Sequence, residues 1–158
     1  MEFEVPPGPL DLDIGIENAS ADVLDRETRK LVVPSLGVGL TLSTPQVFRA
    51  RTQREWQTLA ADAAAVPVPD REFNRTDHLL IRAAAQSPGG GNPALTARLL
   101  NRDGGEMVPL TTAPAGAAGL TNIDVPLANL STGEFLIEIN ASDGGEKTST
   151  LVAIRVTG

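Results

Sequence analysis

The stretch GEFLIEINASDGGEKTSTLVAIRV, residues 133–156, decides the fold class of this chain. Apolar and polar residues alternate on either side of the segment SDGGEK (142–147), with the period of two that a strand with one buried face shows. The Gly-Gly pair in that segment predicts a turn. Inward positions are predicted for Phe135, Ile137, Ile139, Val152, Ile154 and Val156. The stretch therefore predicts two strands joined by a tight turn.

Similar short strands precede this pair. DHLLIRAAA (77–85), ALTARLL (94–100) and LTNIDVPL (120–127) each carry apolar residues at alternate positions, and NRDGGEM (101–107) supplies a further Asp-Gly turn. The inward set predicted here is Leu79, Ile81, Ala83, Leu95, Ala97, Leu99, Ile123, Val125 and Leu127. Short strands at this spacing predict an all-β fold, an antiparallel immunoglobulin-like β-sandwich.

The remaining segments complete this prediction. One short helix is predicted near residues 51–63, where Trp56, Leu59, Ala60 and Ala63 recur at helical spacing. The strand-like run LTLSTPQVF (40–48) is broken at Pro45, which has no N–H for a central ladder and so predicts a sheet edge.

Two domains are predicted. LDLDIGIE (10–17) alternates cleanly, with Leu10, Leu12, Ile14 and Ile16 on the predicted buried face, and DRETRKLVV (25–33) returns with Leu31 and Val33 inward. Residues 1–36 are therefore predicted to form an N-terminal β-hairpin segment that precedes or completes the sandwich, and residues 37–158 to form the sandwich itself.

Composition excludes several classes of function. The net charge of −7 argues against a nucleic-acid partner, which requires clustered Lys and Arg. The absence of cysteine excludes disulfides and thiolate chemistry, and no apolar run approaches the ~20 residues of a membrane span. Because Met1 leads directly into EFEVPPGPL, which is typical of the middle of a domain, we expect the chain to be a piece of a longer protein.

The most polar candidate site is REFNRTDHLLIRAAA, residues 71–85. Arg71, Glu72, Arg75, Asp77 and His78, the only histidine, form a candidate interaction or ion-pair cluster, with an anion site at Arg71 and Arg75 as the functional alternative. Adjacent strand residues point to opposite faces, so Asp77 cannot orient His78 as in a catalytic triad. We therefore predict no catalytic residue, no metal site and no cofactor.

Two other features admit binding interpretations. Asp11, Asp13 and Glu17 share one strand face, which is either solvated or a calcium site, although the D-x-D-x-D-G order of a calcium loop is missing. A carbohydrate-binding sandwich would display aromatic platforms, and the chain has only Trp56 and no tyrosine for this role.

Several blocks resemble a known group of proteins. These are VPDREFNRTDHLLIRAAA (68–85), DVPLANLSTGEFLIEINASDG (124–144) and LVAIRV (151–156). They resemble the C-terminal β-sandwich region of bacterial, acidobacterial-type von Willebrand factor A-related secreted proteins. The metal-binding D-x-S-x-S motif of the A-type domain is absent, so metal-dependent adhesion is not carried over.

That resemblance implies a non-catalytic structural or protein-interaction module of a larger exported bacterial protein, extracellular or periplasmic. The expected partner is another protein or an adjacent domain of the same parent chain, with no nucleic acid and no membrane span. The alternative interpretation is a carbohydrate or cell-envelope binding module.

Overall fold

The computed structural model describes residues 5–33, 39–88, 93–115 and 119–158. The described residues form an antiparallel-rich all-β fold with one short helix. The strands are β1 (Gly8–Glu17), β2 (Val23–Val33), β3 (Thr41–Leu42), β4 (Gln46–Ala50), β5 (Glu72–Asn74), β6 (His78–Gln86), β7 (Ala94–Asn101), β8 (Glu106–Pro114), β9 (Leu120–Pro126), β10 (Gly133–Asp143) and β11 (Glu146–Thr157), and the helix is α1 (Gln53–Ala61). The predicted all-β class and the single helix are confirmed.

The chain divides into two compact units, Met1–Val38 and Gly39–Gly158. The boundary predicted between residues 36 and 37 lies outside the described residues. In the first unit β1 pairs antiparallel with β2, and Leu10 lies opposite Leu31. This hairpin agrees with the predicted strand pair.

The predicted burial of the hairpin's apolar face is wrong for three of its residues. Ile14 and Ile16 are 44% and 57% exposed, and Leu31 is 45% exposed. The register places these side chains on one side of the hairpin, as the alternation predicted. Two strands form only one layer, however, so alternation defines a face without supplying the second layer that would bury it.

The second unit contains a continuous path of strands in the order β3-β6-β9-β8-β7-β10-β11-β5, with β4 also paired to β6. The strand β8 joins the two halves of this path, since Glu106–Leu110 pair with β7 and Thr111–Pro114 pair with β9. We call β3, β4, β6 and β9 the first half-sheet, and β5, β7, β10 and β11 the second half-sheet.

One core of buried side chains draws on both half-sheets. Its fully or almost fully buried members include Leu79, Ile81, Leu99, Ile123, Val125, Leu127, Phe135, Ile137, Ile139, Val152, Ile154 and Val156. These are the inward positions predicted from alternation, and the prediction is confirmed for them. Branched aliphatic side chains make up most of this core, and Phe73 and Phe135 are its aromatic members.

Glycine turns close two of the hairpins in this unit. Gly144 and Gly145 adopt φ angles of +54° and +98° between β10 and β11. These left-handed conformations carry no Cβ penalty at glycine. The tight turn allows an unbroken register along the pair, from Asp143 opposite Glu146 to Gly133 opposite Val156.

The helix α1 packs on the outer face of the first half-sheet. Thr52 caps its first turn, accepting a hydrogen bond from the Glu55 backbone N–H at 3.2 Å. Half-buried Trp56, Leu59 and Ala60 face the sheet, whereas Ala63 lies beyond the last helical residue and is exposed. This second layer buries outer-face residues of β6 that alternation alone would leave in solvent.

Candidate functional site

The turn before β6 is built by Asn74 and Asp77. Asp77 is buried, and its Oδ2 accepts a hydrogen bond from the Asn74 backbone N–H at 2.9 Å. The Asn74 Oδ1 in turn accepts from the backbone N–H and the hydroxyl of Thr76. The carboxylate of Asp77 therefore serves the backbone of its own turn, as such residues often do.

The two arginines of the predicted cluster bind backbone carbonyls. Arg71 Nη1 lies 3.2, 3.2 and 2.8 Å from the carbonyl oxygens of Val68, Pro69 and Asp70. Arg75 Nη2 donates to the Ala128 carbonyl oxygen at 3.4 Å. Among the five residues of the predicted cluster, all within the described range 39–88, no ion pair within 4.0 Å joins one to another. The predicted ion-pair network is therefore not formed within the cluster of Arg71, Glu72, Arg75, Asp77 and His78.

His78 finds its partner on the neighbouring strand. Its Nε2 hydrogen-bonds to Oδ1 of Asp124 on β9, and the indole ring of Trp56 stacks on the imidazole at 5.7 Å between centroids. Sequence reasoning did not identify this pair. The alternation around Ile123 and Val125 did place Asp124 on the outer face, but the register between β6 and β9 could not be read from the sequence.

Arg82 anchors α1 to the first half-sheet. Only 3% of its surface is exposed, and its Nη2 and Nη1 donate to the carbonyl oxygens of Leu59 and Asp62 at 2.8 and 3.2 Å. Its Nε donates to Asn122 Oδ1 at 3.1 Å, while Asn122 Nδ2 donates to the Ala60 carbonyl. A buried cation thus meets the negative end of the helix dipole, and each of its three nitrogens donates a hydrogen bond.

A second polar group lies on the outer face of the second half-sheet. Arg98 bridges Glu138 on β10 and Glu106 on β8, and Asn140 also donates to Glu138. The hydrogen bonds from Arg98 and then Asn140 lower the pKa of Glu138, and those that Arg98 donates to Glu138 and Glu106 raise the pKa of Arg98. These hydrogen bonds stabilise the charged forms of Arg98 and Glu138 on the sheet surface, and they connect β7, β8 and β10.

The outer edge of β11 is the longest open hydrogen-bonding edge of the nine-stranded sheet that the described residues of the second unit form. β5 pairs with β11 only through Arg155–Thr157. Within the described ranges, no strand pairs with the rest of that edge. The backbone N–H of Arg155 bonds to Arg71, so by alternation the backbone groups of Lys147, Ser149, Leu151 and Ala153 also point away from β10.

The edge at Pro45 is shorter and partly covered. Pro45 lies between β3 and β4, so the predicted break is confirmed. β4 spans only Gln46–Ala50, and the Val47 carbonyl on its outer side already accepts a hydrogen bond from the Val68 N–H at 2.8 Å. Of the two edges, β11 offers more unused backbone donors and acceptors.

Neither the protein-family models nor the curated proteins give a match to this chain. Among the described residues, no three His, Asp or Glu side chains are grouped so that they could hold a metal ion, and Asp11, Asp13 and Glu17 form no such group. No described helix has the length and apolarity needed to cross a membrane.

Proposed function

We propose that this chain is a non-catalytic, immunoglobulin-like β-sandwich module that binds an extended segment of another protein, or of an adjacent domain of its parent chain, along the outer edge of β11. The parent would be a larger exported bacterial protein, extracellular or periplasmic. Binding by strand addition uses backbone hydrogen bonds for affinity and side-chain contacts for specificity.

The observation that carries this proposal is that, among the described residues, no strand pairs with the β11 edge from Lys147 to Ala153. Proteins usually block an open edge with a bulge, a proline, several lysines or a covering loop. The β10–β11 register is unbroken, and from Thr148 to Ala153 the strand contains no proline and no charged residue. An edge of this kind favours pairing with another strand.

The strand order supports the immunoglobulin-like part of the proposal. In that fold one sheet carries strands A, B, E and D, and the other carries C, F and G. β4, β6, β9 and β8 occupy the first set of positions, and β7, β10 and β11 the second. Under this assignment β5 corresponds to a short A-type strand that pairs parallel with the last strand.

The side chains around His78 support a non-catalytic module. The imidazole is hydrogen-bonded to Asp124 on one side and stacked against Trp56 on its face, which is the environment of a structural histidine. The same stacking disfavours the carbohydrate alternative, because Trp56 is half-buried and cannot present its full face to a sugar ring.

A peptide-binding screen with a proline variant tests the proposal. Ser149→Pro removes an outward N–H from the edge, whereas Ser149→Ala removes only the hydroxyl and serves as the matched control. The probe is a pool of random peptides of about ten residues, long enough for a strand, tethered at their N termini, half with free and half with amidated C termini. Peptides retained by the wild type and by Ser149→Ala, but lost from Ser149→Pro, are the expected result.

Two outcomes would contradict the proposal. One is no retained peptide, or retention unaffected by Ser149→Pro. The other is turnover of a glycan, peptide or ester substrate that His78→Ala abolishes. The export context has its own test: the reading frame upstream of Glu2 is expected to encode a signal peptide and an A-type domain.

A further inference from the structure

A small cavity lies where the open edge of β11 ends. Its volume is about 260 Å³, and it is lined by Arg71, Arg102, Glu134, Phe135, Leu136, Ala153, Ile154 and Arg155. This is below the roughly 300–1,000 Å³ typical of small-molecule pockets. The lining combines an apolar floor with three guanidinium groups and one carboxylate, although the whole chain has a net charge of −7.

The positive charge of this cavity is not neutralised by close ion pairs. Arg155 lies directly opposite Glu134 in the register, yet no contact within 4.0 Å joins these two described side chains. Arg102 lies 4.0 Å from the carboxylate of Asp103, and both side chains are largely exposed. The cavity therefore complements an anionic group.

Hydrogen bonds within the chain already fix the guanidinium of Arg71 in an orientation suited to binding an anionic group. Its Nη1 is held by the three carbonyl oxygens of residues 68–70, which leaves Nε and Nη2 for another partner. An arginine whose orientation is fixed loses less side-chain entropy when a ligand binds, and its planar fork matches a carboxylate.

The strand directions decide which end of a peptide would reach the cavity. β11 runs from Glu146 towards Arg155, and β5 continues its outer edge in the same, parallel direction. A peptide placed end to end with β5 in that direction would finish beside Arg71 with its C terminus. The opposite direction would bring its N-terminal ammonium group against three guanidinium groups, which like-charge repulsion disfavours.

The open part of the edge also has a defined length. At its start, the carboxylate of Glu146 accepts a hydrogen bond from the Leu40 N–H at 2.8 Å, and at its end the Arg71 carbonyl bonds to Arg155. The seven residues 147–153 lie between these two points, and at about 3.3 Å per residue they match a strand of six or seven residues.

We infer that the cavity is a carboxylate site, which binds the C-terminal carboxylate of an extended peptide that adds parallel to β11. This inference rests on the proposed function, since the peptide must first occupy the edge. It specifies the partner as a free, extended C-terminal segment with small or apolar residues near its end, where Leu136 and Ala153 form the cavity floor.

The test compares two libraries of N-terminally tethered hexapeptides that differ only in their ends, one with free C-terminal carboxylates and one amidated. Binding is measured with the wild type, Arg155→Gln, Arg102→Gln and the control Arg26→Gln. The control removes the same charge from an exposed arginine of β2, outside the cavity. We expect amidation or Arg155→Gln to weaken binding by about tenfold or more, as loss of a charge-assisted hydrogen bond does, and Arg26→Gln to leave it unchanged.

The alternative outcomes separate the two proposals. Equal binding of both libraries, abolished by Ser149→Pro, overturns the carboxylate site and retains strand addition. Binding of neither library overturns both. Binding of an oligogalacturonate through Arg155 and Arg102, without peptide binding, overturns the peptide site and favours the carbohydrate alternative. Arg155 and Arg102 are both exposed, so neither substitution is expected to disturb folding. A similar loss of peptide binding in both variants would therefore not be explained by misfolding of one of them.

Discussion

Arg82 Nη2 lies 2.8 Å from the carbonyl oxygen of Leu59, and this hydrogen bond joins the centre of the first half-sheet to the last turn of α1. The guanidinium also lies over the ring of Phe48, 4.8 Å from its centroid. The helix has no basic residue in its last turn, so the strand supplies the positive charge that its C-terminal carbonyls favour.

Replacement of this arginine is expected to destabilise the protein strongly. Arg82→Met retains much of the apolar stem but removes the charged donor from the Leu59 and Asp62 carbonyls, which keep only longer backbone hydrogen bonds of 3.3 Å. We expect a loss of about 2–4 kcal/mol in the free energy of unfolding. Chemical denaturation measures it. Arg54→Met, at an exposed position of α1, is the control and should change stability by less than about 0.5 kcal/mol. Equal losses in both variants would contradict the anchoring role.

The core is expected to respond to truncation in proportion to burial. Ile137 is fully buried on β10, whereas Leu151 on the adjacent β11 is 56% exposed on the outer face. Ile137→Ala should cost about 2–5 kcal/mol through lost transfer energy and a cavity. Leu151→Ala should cost less than about 1 kcal/mol. A similar cost at both positions, measured by denaturant unfolding, would show that the inner and outer faces of the β10–β11 pair do not differ in burial as the structure has them.

Period-two alternation predicted much of this fold because burial in a sheet is decided locally. Leu79, Ile81 and Ala83 are buried in the core as expected. Side chains two residues apart in a strand point to the same face, so the sequence of the strand alone defines that face. Alternation does not report what covers a face. It therefore overestimated the burial of Ile14 and Ile16, and it did not reveal that α1 buries Leu80 and Arg82 on the opposite face of β6.

The candidate site was less predictable because it depends on which strands are neighbours. The prediction that Asp77 does not orient His78 agrees with the structure, although the reason differs, because Asp77 lies in the turn before β6 and accepts from the Asn74 N–H. The sequence could not show that Asp124, 46 positions away, lies beside His78. In the same way, Arg71 was recognised as a candidate anion ligand, but Arg102 and Arg155 join it only through the pairing of β7, β10 and β11.

The indole of Trp56 is expected to be replaceable by a smaller ring. Its Nε1 is buried without a hydrogen-bond partner among the described residues, and burial of such an N–H costs about 1–3 kcal/mol. Trp56→Phe removes that cost along with some apolar area, so we expect a change within about 1 kcal/mol. Trp56→Ala should lose about 2–4 kcal/mol with the stacking on His78. Circular dichroism follows unfolding, since no other tryptophan is present. A large loss for the phenylalanine variant would point to a partner for the indole N–H.

The ion pair between Arg98 and Glu138 is expected to stabilise the protein only above acidic pH. The hydrogen bond from Arg98 lowers the pKa of Glu138 in the folded state, so folding favours the charged carboxylate. The stabilisation is therefore complete above the ordinary glutamate value of about 4.3 and is lost as the pH falls through the lower folded-state pKa. Glu138→Gln should be less stable than the wild type at pH 7, and the difference should disappear in strong acid.

A double-mutant cycle separates this pairing from packing. The coupling between Arg98→Gln and Glu138→Gln is measured by denaturant unfolding at pH 7 and again in strong acid. We expect coupling at pH 7, weakened by added salt because Arg98 is partly exposed, and none once the carboxyl is protonated. Coupling of equal size at both pH values would contradict an electrostatic origin, because a protonated carboxyl carries no charge for Arg98 to favour.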